Sequence, residues 1–402
     1  MPDLVASTRA LRDADVDLLR FAGDDGLVFT RDGVGFAGRG VTLRGPVEDV
    51  TAALAGAEVD DAVDRPGSGP VAFGAMPFLP GAPGELVVPE RVVGRAADGT
   101  AWVTQVGAGP VGDGVAPPAD RCGRSEPTLP GRFDVASSRP PADWCDAVAT
   151  ATARIRGGAL DKVVLAREVV VTADADIPVA AVLARLRASY AGCYLFCIDG
   201  FVGASPELLV GRDGDRVRAQ PMAGTTARRG DPEADERAAA ALFASSTYRH
   251  EHQVTIDMVH DTLLRFSSYL DDEPEPSVVA LANVAHLATT VEGRLSHPPA
   301  SVVELVQALH PTPAVCGRPR QAALDLIAEL EALDRGRYAG TVGWVDGRGN
   351  GEWAVSIRCA QIDGPIARLF AGNGIVADSD PRTELAETRA KLQALLSAIV
   401  RP

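Results

Sequence analysis

The chain has 402 residues, of which 46% are hydrophobic and 23% charged, the composition of an ordinary globular protein. This length accommodates one large domain or two of average size. The formal net charge of −15 argues against nucleic acid or an anionic membrane as the main partner, although a small anion can still bind where local cations neutralise it.

The N-terminus and the hydropathy pattern indicate neither export nor membrane insertion. Residues 1–17 are charged and lack the apolar core of a secretory signal, and no uninterrupted apolar run of about 18 residues follows. The cytoplasm is therefore the expected location, with no membrane partner. The six cysteines form no CxxC pair, and Cys193 and Cys197 lie in an apolar, strand-like run where buried free thiols are expected.

Residues 1–130 are rich in strand patterns interrupted by glycine and proline, and they contain no cluster of catalytic residue types. Within this part, residues 106–131 are predicted to form a long loop. We expect the strand-rich part to be a scaffold integrated with the rest of the fold, and residues 131–402 to form the catalytic region.

The remainder of the chain alternates predicted helices and strands. A helix is expected at 141–157, a strand from Lys162, a helix from 179, a strand pair at 193–205 and a hairpin around Asp213-Gly214. A long helical tract at 231–266, strands near 284–295, helices at 300–309 and 318–334, two strands at 341–362, and a last strand and helix follow. Because hairpins dominate, we predict an α+β fold of antiparallel β-sheets covered by helices.

The closing helix carries the strongest chemical signal. Asp380 can cap its start, and Pro381 suits its first position. Glu384, Glu387 and Lys391 then fall on one helical face. Two carboxylates one turn apart form half of a site for a hard divalent cation, and a lysine one turn further can hold an anionic substrate. The apolar residues of this helix form a separate stripe, so the acidic face of the helix is not required for packing against the core.

Two residues have the chemistry of an acid–base pair. Lys162 begins the strand in DKVVLARE, where partial desolvation would favour the neutral amine of a general base. Glu207 lies in GASPELLVG between two apolar strands, where burial would favour the protonated carboxyl of a general acid. Taken alone, each position fits a surface lysine or a solvated turn glutamate better.

Further motifs offer ligands for an anion or a metal ion. Gly224 and Thr225, in QPMAGTTARRG, can cradle a carboxylate with backbone N–H groups and a hydroxyl. Glu251 lies between two histidines that point to different faces of a helix. Because this is not the HExxH zinc pattern, we expect carboxylate ligation of magnesium rather than zinc.

A buried cation is predicted near the C-terminus. Arg358 interrupts the apolar strand pattern WAVSIRCAQI, and a buried arginine requires a carboxylate or phosphate partner. A structural ion pair and a substrate satisfy this requirement equally well. Tyr338 can add a phenolic donor, whereas His286 and His310 are lone histidines for which a structural role is the first expectation.

Taken together and in this order, the motifs resemble the chorismate-utilising enzyme family, which includes isochorismate, salicylate, anthranilate and aminodeoxychorismate synthases. The resemblance covers about residues 140–400 and rests on SPELL, AGT, HEH, HLxT, HPTPAVCG, YAGxVG, SIR, GxGIV and ExxETxxKL. It implies that these segments surround one pocket that binds chorismate with Mg²⁺. It also implies attack at ring carbon 2 while the 4-hydroxyl leaves.

The resemblance further implies a role for each candidate. The metal ligands would be carboxylates, directly from Glu251 and Glu387 and through water from Glu384. The ring carboxylate would be held by Arg358 and Tyr338, near Gly224 and Thr225. The charged groups at the other end of the substrate would be held by the Gly372–Gly374 turn and Lys391, with His286 near the enolpyruvyl side. Water would be activated by Lys162, and the departing hydroxyl would be protonated by Glu207.

Two positions distinguish members of this family. Lys162 matches the lysine of members that use water as nucleophile, and Ala223 stands where many aminodeoxychorismate synthases have a nucleophilic lysine. LHPTPAVCG then favours isochorismate synthase, an isomerase, over salicylate synthase, which goes on to eliminate pyruvate. A chorismate-binding subunit that works with a glutamine amidotransferase is the third hypothesis, disfavoured by Lys162 and Ala223. Either menaquinone or catecholate siderophore synthesis fits the product, and the resemblance favours a monomer.

The chain departs from the family pattern at two positions. Asn373 fills a GxG position that is often alanine, and Leu385 replaces a common tryptophan. Neither change removes a proposed chemical group, but Asn373 can adjust carboxylate binding.

Overall fold

The computed structural model describes residues 4–11, 16–109, 129–228 and 230–400. Cys122 and most of the predicted loop at 106–131 lie outside the described residues. The first of those loop residues, up to Gly107, belong to a strand.

The chain forms the following elements, given in sequence order. The first part contains β1 (Val5–Ala10), α1 (Leu18–Ala22), β2 (Leu27–Arg31), β3 (Val34–Arg39), β4 (Leu43–Pro46), α2 (Val47–Ala55), β5 (Glu58–Asp61), β6 (Val71–Met76), β7 (Glu85–Val88), β8 (Arg91–Arg95) and β9 (Ala101–Gly107). The middle part contains β10 (Phe133–Ser137), α3 (Pro141–Arg156), β11 (Lys162–Ala173), α4 (Val179–Ser189), β12 (Tyr194–Ile198), β13 (Phe201–Ser205), β14 (Leu208–Asp213), β15 (Arg216–Gln220) and β16 (Met222–Ala227). The last part contains α5 (Pro232–Ala244), α6 (Ser246–Leu264), β17 (Ser267–Asp272), β18 (Ser277–Ala280), β19 (Val284–Ala288), β20 (Val291–Leu295), α7 (Val302–Leu309), β21 (Gly317–Arg318), α8 (Arg320–Leu330), β22 (Thr341–Asp346), β23 (Gly351–Val355), β24 (Cys359–Asp363), β25 (Ile366–Ile375) and α9 (Pro381–Val400).

Within the part of the chain that the structure describes, the strands form two large sheets and one small sheet. The first has the order β10-β11-β25-β24-β13-β12-β2-β3-β8-β9-β1-β5, with β21 added beside β11. The second has the order β17-β20-β15-β14-β23-β22-β6-β7-β4, and the small sheet is β16-β19-β18. Neighbouring strands are antiparallel except β1 and β5. The predicted α+β fold of antiparallel sheets with helices is confirmed.

Each large sheet combines strands from both ends of the sequence. β2 pairs with β12 in the first sheet, and β6 pairs with β22 in the second. The hydrogen-bonded ladders therefore cross between the strand-rich N-terminal part and the rest of the chain.

Apolar side chains form two buried clusters. The larger joins the two large sheets and includes Phe73, Trp102 and Trp353. The second packs α1, α4 and α9 against the first sheet, and Leu392 of α9 belongs to it. Cys193 and Cys197 are buried free thiols, as predicted. Within the described residues, no helix is long and apolar enough to cross a membrane.

The structure corrects several local predictions. The helical tract predicted at 231–266 is two helices, because Ser245 ends α5 and its hydroxyl caps α6 by accepting from Tyr248 N at 3.3 Å. The two strands near 284–295 are β19 and β20, which belong to different sheets. The glycines Gly372 and Gly374 lie inside β25 rather than in a turn.

Arg358 does not lie within a strand. The segment predicted as one strand at its position is divided into β23, in the second sheet, and β24, in the first. The chain changes sheets between them, and Arg358 adopts φ = 52°, a left-handed conformation that strand geometry excludes. Its side chain therefore projects from the segment that connects the two sheets.

Candidate active site

A cavity of about 990 Å³ lies where the ends of β11 and β25 meet α6 and α9. All of the residues predicted to act in catalysis, substrate binding or metal binding line it: Lys162, Glu207, Gly224, Thr225, Glu251, His286, Tyr338, Arg358, Gly372, Gly374, Glu384, Glu387 and Lys391. The structure thus brings together positions that are more than 200 residues apart in the chain. What each residue does in the cavity stays a prediction.

Two glycines of β25 make room for functional side chains on this wall. Val164 of β11 pairs with Gly374, and Ala166 pairs with Gly372. A Cβ atom on Gly374 would lie 2.5 Å from Lys162 Cε, and one on Gly372 would lie 3.0 Å from Tyr338 Oη. Any larger residue at Gly374 would therefore force the Lys162 side chain to shift.

Each cavity lysine is paired with a glutamate. Lys162 Nζ lies 2.5 Å from Glu251 Oε1, and Lys391 Nζ lies 2.7 Å from Glu387 Oε1. Burial disfavours the charged form of Glu251, but the Lys162 ammonium outweighs this effect and holds the pKa of Glu251 below its ordinary value. Burial lowers the pKa of Lys391, although Glu387 opposes that shift.

Glu384 is held by two neutral donors. Ser379 Oγ donates to its Oε1 at 2.7 Å, and Asn373 Nδ2 donates to its Oε2 at 2.8 Å. Burial nevertheless raises the pKa of Glu384 above its ordinary value, and the nearby charge of Glu387 contributes to the same shift. Glu384 is therefore a fixed carboxylate on the cavity wall.

The carboxylates of the cavity are suitable ligands for Mg²⁺, but they do not surround a single point. Within the described ranges, no group of three or more His, Cys, Asp or Glu side chains is close enough together to hold a metal ion. Glu251, Glu384 and Glu387 supply the hard oxygen donors that Mg²⁺ prefers. Because each is engaged by a lysine, a serine or an asparagine, shared ligation requires these side chains to exchange partners. The donor set fits magnesium and not zinc.

Arg358 gives one side of the cavity its positive charge, and His286 lies beside it. Arg358 Nη2 lies 3.1 Å from His286 Nε2, and Arg358 Nε is buried without a hydrogen-bond partner. No carboxylate lies within salt-bridge distance of this guanidinium among the described residues, so it is not part of a structural ion pair. A buried, unpaired N–H beside a cavity is suited to a ligand carboxylate.

The hydrogen bonds of His286 determine its tautomer. A guanidinium can only donate, so Nε2 accepts from Arg358 and the ring proton is on Nδ1. Nδ1 lies 3.3 Å from Gly224 O and 3.1 Å from Thr225 Oγ1. Burial and the Arg358 charge lower the pKa of His286 to about 3, so the ring is neutral. The Arg358 and His286 side chains thus face the same part of the cavity, and the place of His286 near the enolpyruvyl side of the substrate stays a prediction.

Tyr338 and Gly224 complete this side. The Tyr338 ring stacks on Phe370 with centroids 5.4 Å apart, and burial raises its pKa above the ordinary value, so the phenol keeps its proton. Gly224 has φ = 74°, a conformation that glycine adopts without strain. The backbone of β16 thereby turns at the position predicted to cradle a carboxylate.

Glu207 has the environment of a general acid. It lies between β13 and β14, is 3% exposed, and accepts from Met222 N at 3.4 Å. Burial raises its pKa to about 7, although the Met222 N–H and the charges of Arg358 and Lys162 oppose the shift. A large fraction of Glu207 is therefore protonated near neutral pH.

Two other histidines, His252 and His310, have structural partners. His252 Nε2 lies 2.8 Å from Thr289 Oγ1, and burial lowers its pKa to about 4. His310 Nε2 lies 2.9 Å from the Phe78 carbonyl oxygen. Of the HEH motif, His250 and Glu251 line the cavity, whereas His252 does not.

Sequence reasoning did not predict the contacts of three polar residues at or behind this site. Tyr248 lines the cavity one turn before Glu251 on α6, so helical periodicity could have identified it. Ser379 also lines the cavity and holds Glu384. Asn373 was noted as a departure from the family pattern, but its contacts were not foreseen.

Comparisons with known proteins agree with this geometry. Residues 123–400 match the family model described as "Chorismate binding enzyme". The chain is 36% identical to isochorismate synthase DhbC of Bacillus subtilis over 343 residues, covering 83% of this chain and 81% of that protein. It is 42% identical to isochorismate synthase EntC of Escherichia coli over 255 residues, covering 62% and 65%. The solved structure of MenF, the menaquinone-specific isochorismate synthase of E. coli, superposes with a TM-score of 0.81 and 25% identity, covering 99% of this chain and 95% of that one.

Proposed function

The chain belongs to the chorismate binding enzyme family, and from this premise we propose that it is an isochorismate synthase, an isomerase that converts chorismate to isochorismate. The observation that carries the proposal is that Lys162 and the buried Glu207 line the same cavity. Ala223 also lines the cavity, so no lysine nucleophile stands at that position. Water is then the attacking group.

The substrate is a dianion, and the cavity offers cations at separate places. We propose that Arg358 binds one of the two carboxylates, because its Nε is buried and lacks a protein partner. Neutral His286 keeps the guanidinium oriented without adding charge. Tyr338 and the backbone at Gly224 and Thr225 supply neutral donors nearby.

Lys162 and Glu207 transfer the protons. Lys162 takes a proton from water as its oxygen bonds to ring carbon 2, the two ring double bonds shift, and the bond from carbon 4 to its hydroxyl breaks. Glu207 gives its proton to that hydroxyl, which leaves as water. Lys162 has to part from Glu251 and be neutral before it can accept a proton. One water is consumed and one is released, so we expect the reaction to be reversible.

We propose that the carboxylates of Glu251 and Glu387, with Glu384 joining through water, hold Mg²⁺. Bound there, the metal would offset the negative charge of the substrate and polarise it. We expect the ion to bind weakly without chorismate, because a site completed by a substrate carboxylate lacks a ligand when empty.

Isotope incorporation tests the proposed chemistry. The purified chain is incubated with chorismate and Mg²⁺ in ¹⁸O-labelled water, and the product is analysed by mass spectrometry. We expect isochorismate that carries one solvent oxygen. Isochorismate without label would mean that the substrate hydroxyl migrates and that Lys162 does not activate water.

Other expectations from the sequence stay predictions. These are a cytoplasmic location, a monomeric state and a scaffolding role for residues 1–130. We expect the isochorismate produced to serve menaquinone or catecholate siderophore synthesis.

A further inference from the structure

Asn373 lies behind the wall of the cavity. It is in β25 between Gly372 and Gly374, whose missing side chains open onto the cavity. Because successive side chains of a strand point to opposite faces, Asn373 points away from that opening and towards α9. The residue is 1% exposed and does not line the cavity itself.

The Asn373 amide joins two functional side chains of α9. Its Nδ2 donates to Glu384 Oε2 at 2.8 Å and to Glu384 O at 3.0 Å. Its Oδ1 accepts from Lys391 Nζ at 2.8 Å. The chemistry of the partners fixes this orientation, since a flipped amide would set its NH₂ group against an ammonium and its oxygen against a carboxylate.

These contacts fix the positions of the Lys391 ammonium and the Glu384 carboxylate. The three donors of the Lys391 ammonium are directed at Gly372 O, Asn373 Oδ1 and Glu387 Oε1. Two of the three acceptors are therefore provided by consecutive residues of β25. The Glu384 carboxylate is likewise held at both oxygens, by Ser379 and Asn373.

We propose that Asn373 is a positioning residue that fixes Glu384 and Lys391 relative to each other, so that metal binding and substrate binding both depend on it. Its amide keeps the carboxylate and the ammonium from pairing directly and holds each one at a set place on the cavity wall. This inference rests on the proposed function, because it assigns Asn373 through the metal and substrate roles of its partners.

Two substitutions separate the two contacts. Asn373→Ala removes both, whereas Asn373→Asp keeps an acceptor for Lys391 but replaces the donor to Glu384 with a second carboxylate. Asn283→Ala is the matched control: Asn283 Nδ2 also donates to α9, to Ala390 O at 2.7 Å, but it contacts neither Glu384 nor Lys391.

Binding of Mn²⁺ in the presence of saturating chorismate, followed by electron paramagnetic resonance of the free ion, is measured beside kcat and KM for chorismate. Groups that orient metal ligands typically contribute about 10- to 100-fold in affinity. We expect Asn373→Ala to weaken Mn²⁺ binding by about that factor and to raise KM. Asn373→Asp should weaken Mn²⁺ binding with a smaller rise in KM, and Asn283→Ala should match the wild type in both.

Thermal unfolding of each variant shows whether it is folded. Mn²⁺ affinity and KM within about twofold of wild type in folded Asn373→Ala would overturn the inference. Equal losses in Asn283→Ala would also overturn it, because the effect would then be a general loosening of α9. If the wild-type chain itself neither binds Mn²⁺ nor converts chorismate, the proposed function fails instead, so the two failures are distinguishable.

Discussion

The two residues proposed for proton transfer have different surroundings. Glu207 is almost fully buried between two strands, with a backbone N–H as its hydrogen-bond partner. Lys162 is also buried, but its ammonium contacts the carboxylate of Glu251. Burial alone is thus enough to favour the protonated form of Glu207. Lys162 can act as a base only after its ion pair with Glu251 has separated.

Replacing Lys162 tests the base. Lys162→Ala should lower kcat by about 10²- to 10⁴-fold, the usual contribution of general base catalysis, while chorismate binding changes little. Lys162→Arg should be equally impaired, because an arginine keeps the charge but does not release its proton near neutral pH. Steady-state kinetics and equilibrium binding distinguish these effects. Near-normal turnover by Lys162→Arg would contradict the assignment.

The pH dependence of kcat/KM tests the acid. Burial raises the pKa of Glu207 to about 7, so the carboxyl is protonated below that pH and ionised above it. Activity that requires the protonated form should therefore fall as the pH rises through about 7. Glu207→Gln should be strongly impaired and should lack this alkaline limb. Wild-type activity that rises steadily up to about pH 9 would argue against Glu207 as the acid.

At the scale of elements, α9 serves the core and the site with different faces. Leu392, Leu395 and Ile399 are buried in the core, whereas Glu384 and Glu387 face the cavity. Asp380 caps the helix by accepting from Thr383 N at 2.8 Å, as the sequence predicts. A cap and a 3.6-residue period are local signals, so this helix and its acidic face could be predicted without knowledge of the fold.

Other elements could not be predicted because their cause is distant in the sequence. The apolar alternation around Arg358 continues where the chain passes from one sheet to the other. Such a pattern predicts that a residue is buried, but it does not predict the sheet to which the residue belongs. Gly372 and Gly374 suggest a turn on local evidence. They are needed instead because Tyr338 and Lys162, from other parts of the chain, pass close to β25.

Glu387→Gln tests the metal role of α9. Removing this charge should raise the Mg²⁺ concentration needed for half-maximal rate by about 10- to 100-fold. Glu329→Gln is the control, because Glu329 is an exposed glutamate of α8 that pairs with Arg154. Rates measured over a series of Mg²⁺ concentrations give the comparison. An unchanged metal dependence in Glu387→Gln would reject that ligand.

At the scale of the whole molecule, the two lysines differ from the other basic residues in where they lie. Lys162 and Lys391 are the two lysines among 39 basic residues, and both line the cavity. Elsewhere arginine supplies the positive charge. An amine can lose its proton when its surroundings favour the neutral form, whereas a guanidinium stays protonated. Because lysine is so scarce in this chain, the presence of both lysines in one cavity is informative.

The large sheets lead to a prediction about residues 1–130. β2 and β6 pair with β12 and β22, and Phe73 and Trp102 belong to the core that joins the sheets. A fragment of residues 131–402 would expose strand edges and apolar surface that these residues cover. We expect it to show no cooperative thermal unfolding, unlike the full chain. A fragment that unfolds cooperatively and converts chorismate would show that the N-terminal part is dispensable.

Product analysis tests the central claim most directly. The purified full-length chain is incubated with chorismate and Mg²⁺, without ammonia, and the products are separated by chromatography while pyruvate is assayed enzymatically. The account predicts isochorismate in equilibrium with chorismate and no stoichiometric pyruvate. Salicylate formed together with an equal amount of pyruvate, or turnover that requires ammonia, would contradict it.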